Sequence, residues 1–147
     1  MSVYISVELQ HQIRSRFANC CAYCRTAESL TVTTFEFEHI VSLSKGGRTI
    51  FENLCLACPS CNRYKATRQI ATDPITQEEV GLFHPQKQVW SSHFEWNGEA
   101  IEIIGLSPTG RATVVVLKMN RPQLLRVRRM WVKMGEHPPI IWLPEQV

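Results

Sequence analysis

Cysteine occurs twice in this chain as a pair separated by two residues, Cys21 with Cys24 and Cys58 with Cys61. Two such knuckles can place four sulfurs at about 2.3 Å from a single tetrahedral zinc ion. The segment between them is then stapled at both ends. Inside the staple lie Glu38, His39 and Asn53, and Asn62 follows the second knuckle directly. Carboxylate and carboxamide oxygens are hard donors of the kind that hold Mg²⁺. An imidazole, with a reference pKa of about 6.5, is largely neutral at pH 7 and can accept a proton from water. The residue types describe two metals of different character, one structural and one reactive, with a general base beside the second.

These side chains need elements to position them. Ser6 can cap a helix over residues 7–18, where Leu9, Ile13 and Phe17 share one face, and this helix delivers the chain to the first knuckle. Residues 30–40 read as a strand, because Phe35 and Phe37 alternate with Glu36 and Glu38, and His39 falls near its end. Ser44-Lys45-Gly46-Gly47 signals a turn, followed by a short apolar return from Asn53 to Ala57. Pro59 and Ser60 suit a helix start, which puts Asn62 in the first turn of a helix ending near Gln69. The local order is strand, strand, helix.

The stretch 71–88 carries Asp73-Pro74 and His84-Pro85 among polar residues and reads as a linker. Beyond it, residues 90–96 and 99–104 flank Asn97-Gly98, the dipeptide of a type I′ hairpin turn. Residues 113–117 fit a strand or a helix. A helix is expected over 120–134, with Asn120 as its cap, Pro122 in its first turn, Leu124, Val127, Trp131 and Met134 as its apolar stripe, and Gly135 at its end.

A chain of 147 residues with 44% hydrophobic residues can bury a core, which argues against disorder. It has no apolar run approaching the roughly 18 to 20 residues of a membrane span, and the start of the chain does not read as a signal peptide. The expectation is a cytoplasmic protein, without a membrane, whose six cysteines are reduced and partly metal-bound. The formal charge of +3 is small, but residues 103–135 hold seven basic side chains and no acid. Such a one-signed stretch can make a footprint for phosphates, or simply a solvated helix face.

Taken in order, Cys21-x-x-Cys24, Glu38-His39-Ile40, Gly46-Gly47, Glu52-Asn53-Leu54 and Cys58-x-x-Cys61-Asn62-x-x-Lys65 resemble the HNH endonucleases, in their zinc-containing ββα-metal form. The resemblance covers roughly residues 20–68. It implies a zinc-stapled ββα core over 1–70; with the linker over 71–88 and the hairpin-plus-helix extension over 89–147 read from the residues above, the extension packed on that core, the expected fold is α+β. It further implies that His39 is the general base and that Glu38 and Asn62 ligate a catalytic Mg²⁺ or Mn²⁺. Asn53 would brace the loop that orients His39, and Cys21, Cys24, Cys58 and Cys61 would hold structural Zn²⁺. The substrate would be DNA, with RNA as an alternative, cut to 5′-phosphate and 3′-hydroxyl ends; a homodimer is one way to cut both strands. Asn62 stands where the family also uses histidine, which bears on the choice of catalytic metal.

Duller readings accompany each assignment. Glu36 shares a strand face with Glu38 and is the rival ligand, and Cys55 with Cys58 is a rival knuckle. Cys20 and Cys55 otherwise read as buried apolar fillers. Arg63, Lys65, Arg68, Arg126, Arg128 and Arg129 are candidate nucleic-acid contacts, and Lys45 and Arg48 weaker ones. Trp90, Trp96, Trp131 and Trp142 suit core packing better than base stacking. The functional alternative to an endonuclease is a non-catalytic zinc-ribbon module that binds nucleic acid.

Overall fold

A computed structural model describes residues 3–140, so Trp142 lies outside the described residues. Helix α1 (Val7–Arg16) begins where Ser6 Oγ accepts the Leu9 amide at 3.1 Å, and it buries Ile13 and then Phe17. Left-handed backbone at Ala18 and Asn19 turns the chain into the first knuckle. Strand β1 (Glu36–His39) pairs antiparallel with β2 (Leu54–Ala57), with His39 opposite Leu54 and Glu36 opposite Ala57. The strand expected over 30–40 is thus four residues long, and Leu30 closes a 3-10 turn over residues 28–30. Thr31 Oγ1 stabilises that turn by donating to the Glu28 carbonyl.

Helix α2 (Pro59–Lys65) follows β2, with Pro59 at the helix start and the Cys58 sulfur accepting the Cys61 amide at 3.4 Å. It ends earlier than expected, since Ala66 adopts a φ of 51° and breaks the helix. The core is therefore a ββα unit in an α+β chain.

The stretch 71–88 is not a linker. It contains most of β3 (Ile70–Thr72) and all of β4 (Glu79–Gly81), an antiparallel pair. Asp73-Pro74 is the turn between them, because the Asp73 carboxylate accepts the amides of Ile75 and Thr76 and the Thr76 hydroxyl. Arg111 then binds the same carboxylate through Nε and Nη2, both at 2.9 Å. Gln86 donates to the carbonyls of Phe51 and Leu54, both at 2.9 Å, and so ties this segment to the ββα core.

The remaining elements are α3 (Trp90–His93), β5 (Phe94–Trp96), β6 (Ile103–Gly105), α4 (Pro108–Val116) and α5 (Pro122–Lys133). Strands β5 and β6 do form a hairpin, but its loop runs through residues 97–102 and is not a two-residue turn. Asn97 Oδ1 caps the loop by accepting the amides of Ile101 and Glu102, and Ala100 takes the positive φ. Residues 113–116 form the end of α4, with Leu117 as its C-cap and Ser107 as its N-cap. Asn120 does not cap α5. Its amide group pairs with the backbone of Ile103 in both directions at 2.8 Å, as a neighbouring strand would, and Arg121 occupies the cap position. Gly105 lets β6 touch α4, since a Cβ there would fall 2.5 Å from the Arg111 backbone nitrogen, and Gly110 lets α4 touch the end of α3, since a Cβ there would fall 2.0 Å from the His93 carbonyl oxygen.

One buried cluster joins the two halves. Ile13, Tyr23, Leu54 and Leu56 from the first half pack with Phe83, Phe94, Ile103, Leu117, Met119 and Leu124 from the second. Each such side chain contributes about 1.5–3 kcal/mol on burial, so the C-terminal segment is part of the same core. Among the described residues no helix is long and apolar enough to cross a membrane.

Candidate active site

The four cysteines expected to bind zinc come together. Sγ atoms of Cys21, Cys24, Cys58 and Cys61 all lie within 4.8 Å of one another, and all four residues are buried. The Cys24 to Cys58 sulfur separation is 3.8 Å, and a tetrahedron with Zn–S bonds of about 2.3 Å has edges of about 3.8 Å. Donors already point at the sulfurs: the Cys61 amide at Cys58, and Thr26 Oγ1 3.2 Å from Cys24. The donor set fits structural zinc. Cys20 and Cys55 are buried outside the cluster, and burial pushes both thiols up, Cys20 to about 11. Cys55 instead lies 3.8 Å from the Tyr23 hydroxyl and 3.6 Å from Glu38, which removes the rival knuckle.

Asn53 locks the loop that follows β1. Its Oδ1 accepts the Val41 amide at 2.9 Å, and its Nδ2 donates to the carbonyls of Val41 and Arg48 at 3.0 and 2.9 Å. The Asn53 carbonyl also accepts the Ile40 amide at 2.8 Å. Gly47 makes room for this lock: a Cβ there would sit 1.8 Å from the Val41 carbonyl oxygen and 2.9 Å from Asn53 Nδ2. Asn53→Ala is expected to cost about 2–4 kcal/mol, because three backbone groups lose their partner. Asn53→Asp should cost at least as much, since a carboxylate would face two carbonyls. Urea denaturation of both variants checks this, and an Asp variant as stable as wild type would contradict it.

His39 closes β1 immediately before the locked loop and is partly exposed. Its Nε2 is 2.9 Å from Thr49 Oγ1, a partner that no spacing rule in the sequence marks. Desolvation lowers the His39 pKa, which favours the neutral imidazole. On the opposite face of the strand, one and three residues before His39, the side chains face α2. There Glu36 and Glu38 meet Asn62 and Lys65, residues two apart on a strand matched with residues three apart on a helix.

Within that ladder the two glutamates differ sharply. Asn62 Nδ2 donates to Glu36 Oε1 at the exposed end. Glu38, by contrast, is only 5% exposed, and its Oε1 lies 3.0 Å from Lys65 Nζ. Burial raises the Glu38 pKa, and the Lys65 charge works against that rise. Lys65 Nζ also donates to the Ile40 carbonyl at 2.8 Å. Glu38, expected to ligate the catalytic cation with Asn62, has its carboxylate in a buried ion pair with Lys65, and the carboxylate in contact with Asn62 is Glu36. No hydrogen bond among the described residues links His39 to Glu36 or Asn62.

The expected nucleic-acid contacts divide in the same way. Arg63, Arg68, Arg126 and Arg129 are exposed. Lys65 is buried by its pairing with Glu38, and Arg128 is buried at 0% exposure. Neither offers its charge to a ligand at the surface. Arg128 Nη1 donates to the Ile101 carbonyl and Asn120 Oδ1, and its guanidinium lies 5.1 Å from the Trp96 ring centre. Desolvation lowers its pKa to about 10, partly offset by the charge of nearby Cys24. Among the described residues Trp90, Trp96 and Trp131 pack against the core as expected, with Trp90 donating to the Tyr23 carbonyl at 2.8 Å and packing on Phe94 and Trp96.

An antiparallel strand pair and a short helix, clipped by four cysteines and carrying histidine, asparagine and carboxylate at their junction, define a zinc-stapled ββα domain. Residues 21–68, about a third of the chain, match the family described as HNH endonuclease. The likeness to HNH endonucleases is confined to this segment and points to a nuclease or nucleic-acid-binding function. No curated protein and no solved structure matches the chain.

Proposed function

We propose that this protein is a metal-dependent endonuclease that hydrolyses DNA phosphodiester bonds. The observation that carries the reading is a partly exposed His39, closing β1 beside the loop that Asn53 locks, on the same short strand whose Glu36 meets Asn62 of α2. With Nε2–H donating to Thr49, the Nδ1 lone pair of His39 is the basic nitrogen that takes a proton from the attacking water. The water oxygen bonds to phosphorus, the P–O3′ bond breaks, and the ends are 5′-phosphate and 3′-hydroxyl. Glu36 and Asn62 would hold Mg²⁺ or Mn²⁺, whose charge would stabilise the departing oxygen. Asn53 keeps His39 in place without touching substrate. The zinc cluster holds the ends of the unit and takes no part in proton transfer.

Supercoiled plasmid incubated with Mg²⁺ or Mn²⁺ tests this reading. His39→Ala is expected to slow cleavage by about 10²–10⁴-fold, and EDTA to stop it. Glu36→Gln should raise the cation concentration needed for half-maximal cleavage. Equal cutting by wild type and His39→Ala, or no cutting with any metal, would sink the proposal.

A further inference from the structure

Three cations from three separate elements converge on one aromatic ring. Arg63 of α2, Lys118 after α4 and Arg121 before α5 lie 5.2, 5.0 and 5.8 Å from the centre of the Tyr64 ring. Arg68 reaches the same residue, donating to the Tyr64 carbonyl at 2.7 Å. Like charges gathered this closely repel one another, and the ring quadrupole offsets only part of that repulsion. Among the described residues the ion pairs are Arg14–Glu28, Lys65–Glu38 and Arg111–Asp73, so none of these four cations has a carboxylate partner.

Lys118 strengthens the case. It occupies the left-handed turn that ends α4, at a φ of 50°, where glycine is the favoured residue. Its side chain is exposed while its neighbours Leu117 and Met119 are buried. The lysine contributes its charge to the surface and nothing to the core.

We propose that Arg63, Lys118 and Arg121, arranged on Tyr64, form a binding surface for the phosphates of DNA engaged by the active site. Tyr64 and Arg63 lie on α2, the same seven-residue helix that carries Asn62, and two of the three cations come from the C-terminal half. The proposal rests on the endonuclease reading above, and assigns to that half a direct part in gripping substrate. The recognised group is the phosphodiester anion, so binding through this surface is independent of sequence.

The test uses the full zinc-loaded chain in a His39→Ala background, with a fluorescent DNA duplex and no added Mg²⁺ or Mn²⁺, over a series of salt concentrations. Lys118→Gly with Arg121→Gln is expected to weaken binding roughly tenfold or more at 0.1 M salt and to make the log–log salt slope shallower by roughly one to two. Lys118→Gly relieves the left-handed turn, so it should fold as well as wild type, and alone it should show about half of the effect. Unchanged affinity and slope in the double variant, with an intact thermal transition, would overturn the proposal. It also falls if Arg126→Gln with Arg129→Gln removes the whole salt dependence. If the His39→Ala protein binds no DNA at any salt concentration, the endonuclease reading fails and takes this surface with it; normal binding by that protein with no effect at Lys118 and Arg121 removes the surface alone.

Discussion

Cys58→Ser is expected to release zinc and unfold the segment from Cys21 to Cys61. The elements held there are two four-residue strands and a seven-residue helix, too short to be stable alone. Structural zinc sites contribute about 10–16 kcal/mol of apparent binding energy at pH 7, comparable to or larger than the whole stability of a typical domain at about 5–15 kcal/mol. Serine is also a good helix cap, so Cys58→Ser retains a capping oxygen where the sulfur now accepts the Cys61 amide. The loss therefore reports on metal ligation. Elemental analysis should find one zinc per wild-type chain and markedly less in the variant, and far-UV circular dichroism should show lost structure. Cys20→Ser and Cys55→Ala should keep the zinc. A Cys58→Ser protein with full zinc and an unaltered melt would show that the four-sulfur cluster is not the staple.

Lys65→Met is expected to destabilise the protein by about 3–5 kcal/mol, because it leaves the buried Glu38 carboxylate without its cation. Lys65 also donates to the Ile40 carbonyl, so the change loosens the hold of α2 on the strand end that carries His39. Adding Glu38→Met should recover most of the loss, since an apolar pair of similar volume has no charge to desolvate. Urea denaturation of both single variants and the double gives the coupling directly. Additive effects would mean that the two groups do not act as a pair. If Lys65 were instead a surface phosphate contact, its replacement would alter DNA affinity and salt dependence with little change in stability.

The difference between Glu36 and Glu38 shows where one-dimensional reading stops. Strand alternation puts both on one face, and nothing in the sequence says which of them α2 covers. That depends on where the helix crosses the strand, and the crossing sets Lys65 over Glu38 and Asn62 over Glu36. Arg128 makes the same point. It sits in a basic run between the exposed Arg126 and Arg129, yet its position on α5 turns it inward to the Ile101 carbonyl and the Trp96 ring. Residues 71–88 read as a linker because Asp73-Pro74 and His84-Pro85 are turn signals, and turn signals between very short strands leave little periodicity to detect. Thr49 had no signal at all, since a threonine in a polar loop is unremarked until a histidine is beside it.

What the amino-acid sequence determines by itself is the local chemistry: paired thiols at knuckle spacing, an asparagine able to bond backbone at both ends, a histidine at a strand end, and glycines where the chain must pass close to itself. These depend on residue type and on neighbours a few positions away. The tertiary structure alone decides which like-typed residues become buried partners and which remain available, and it brings Arg63, Lys118 and Arg121 to one ring from segments more than fifty residues apart. The physical reason is that burial and charge pairing depend on how packed elements cross, and side chains distant along the chain set that crossing.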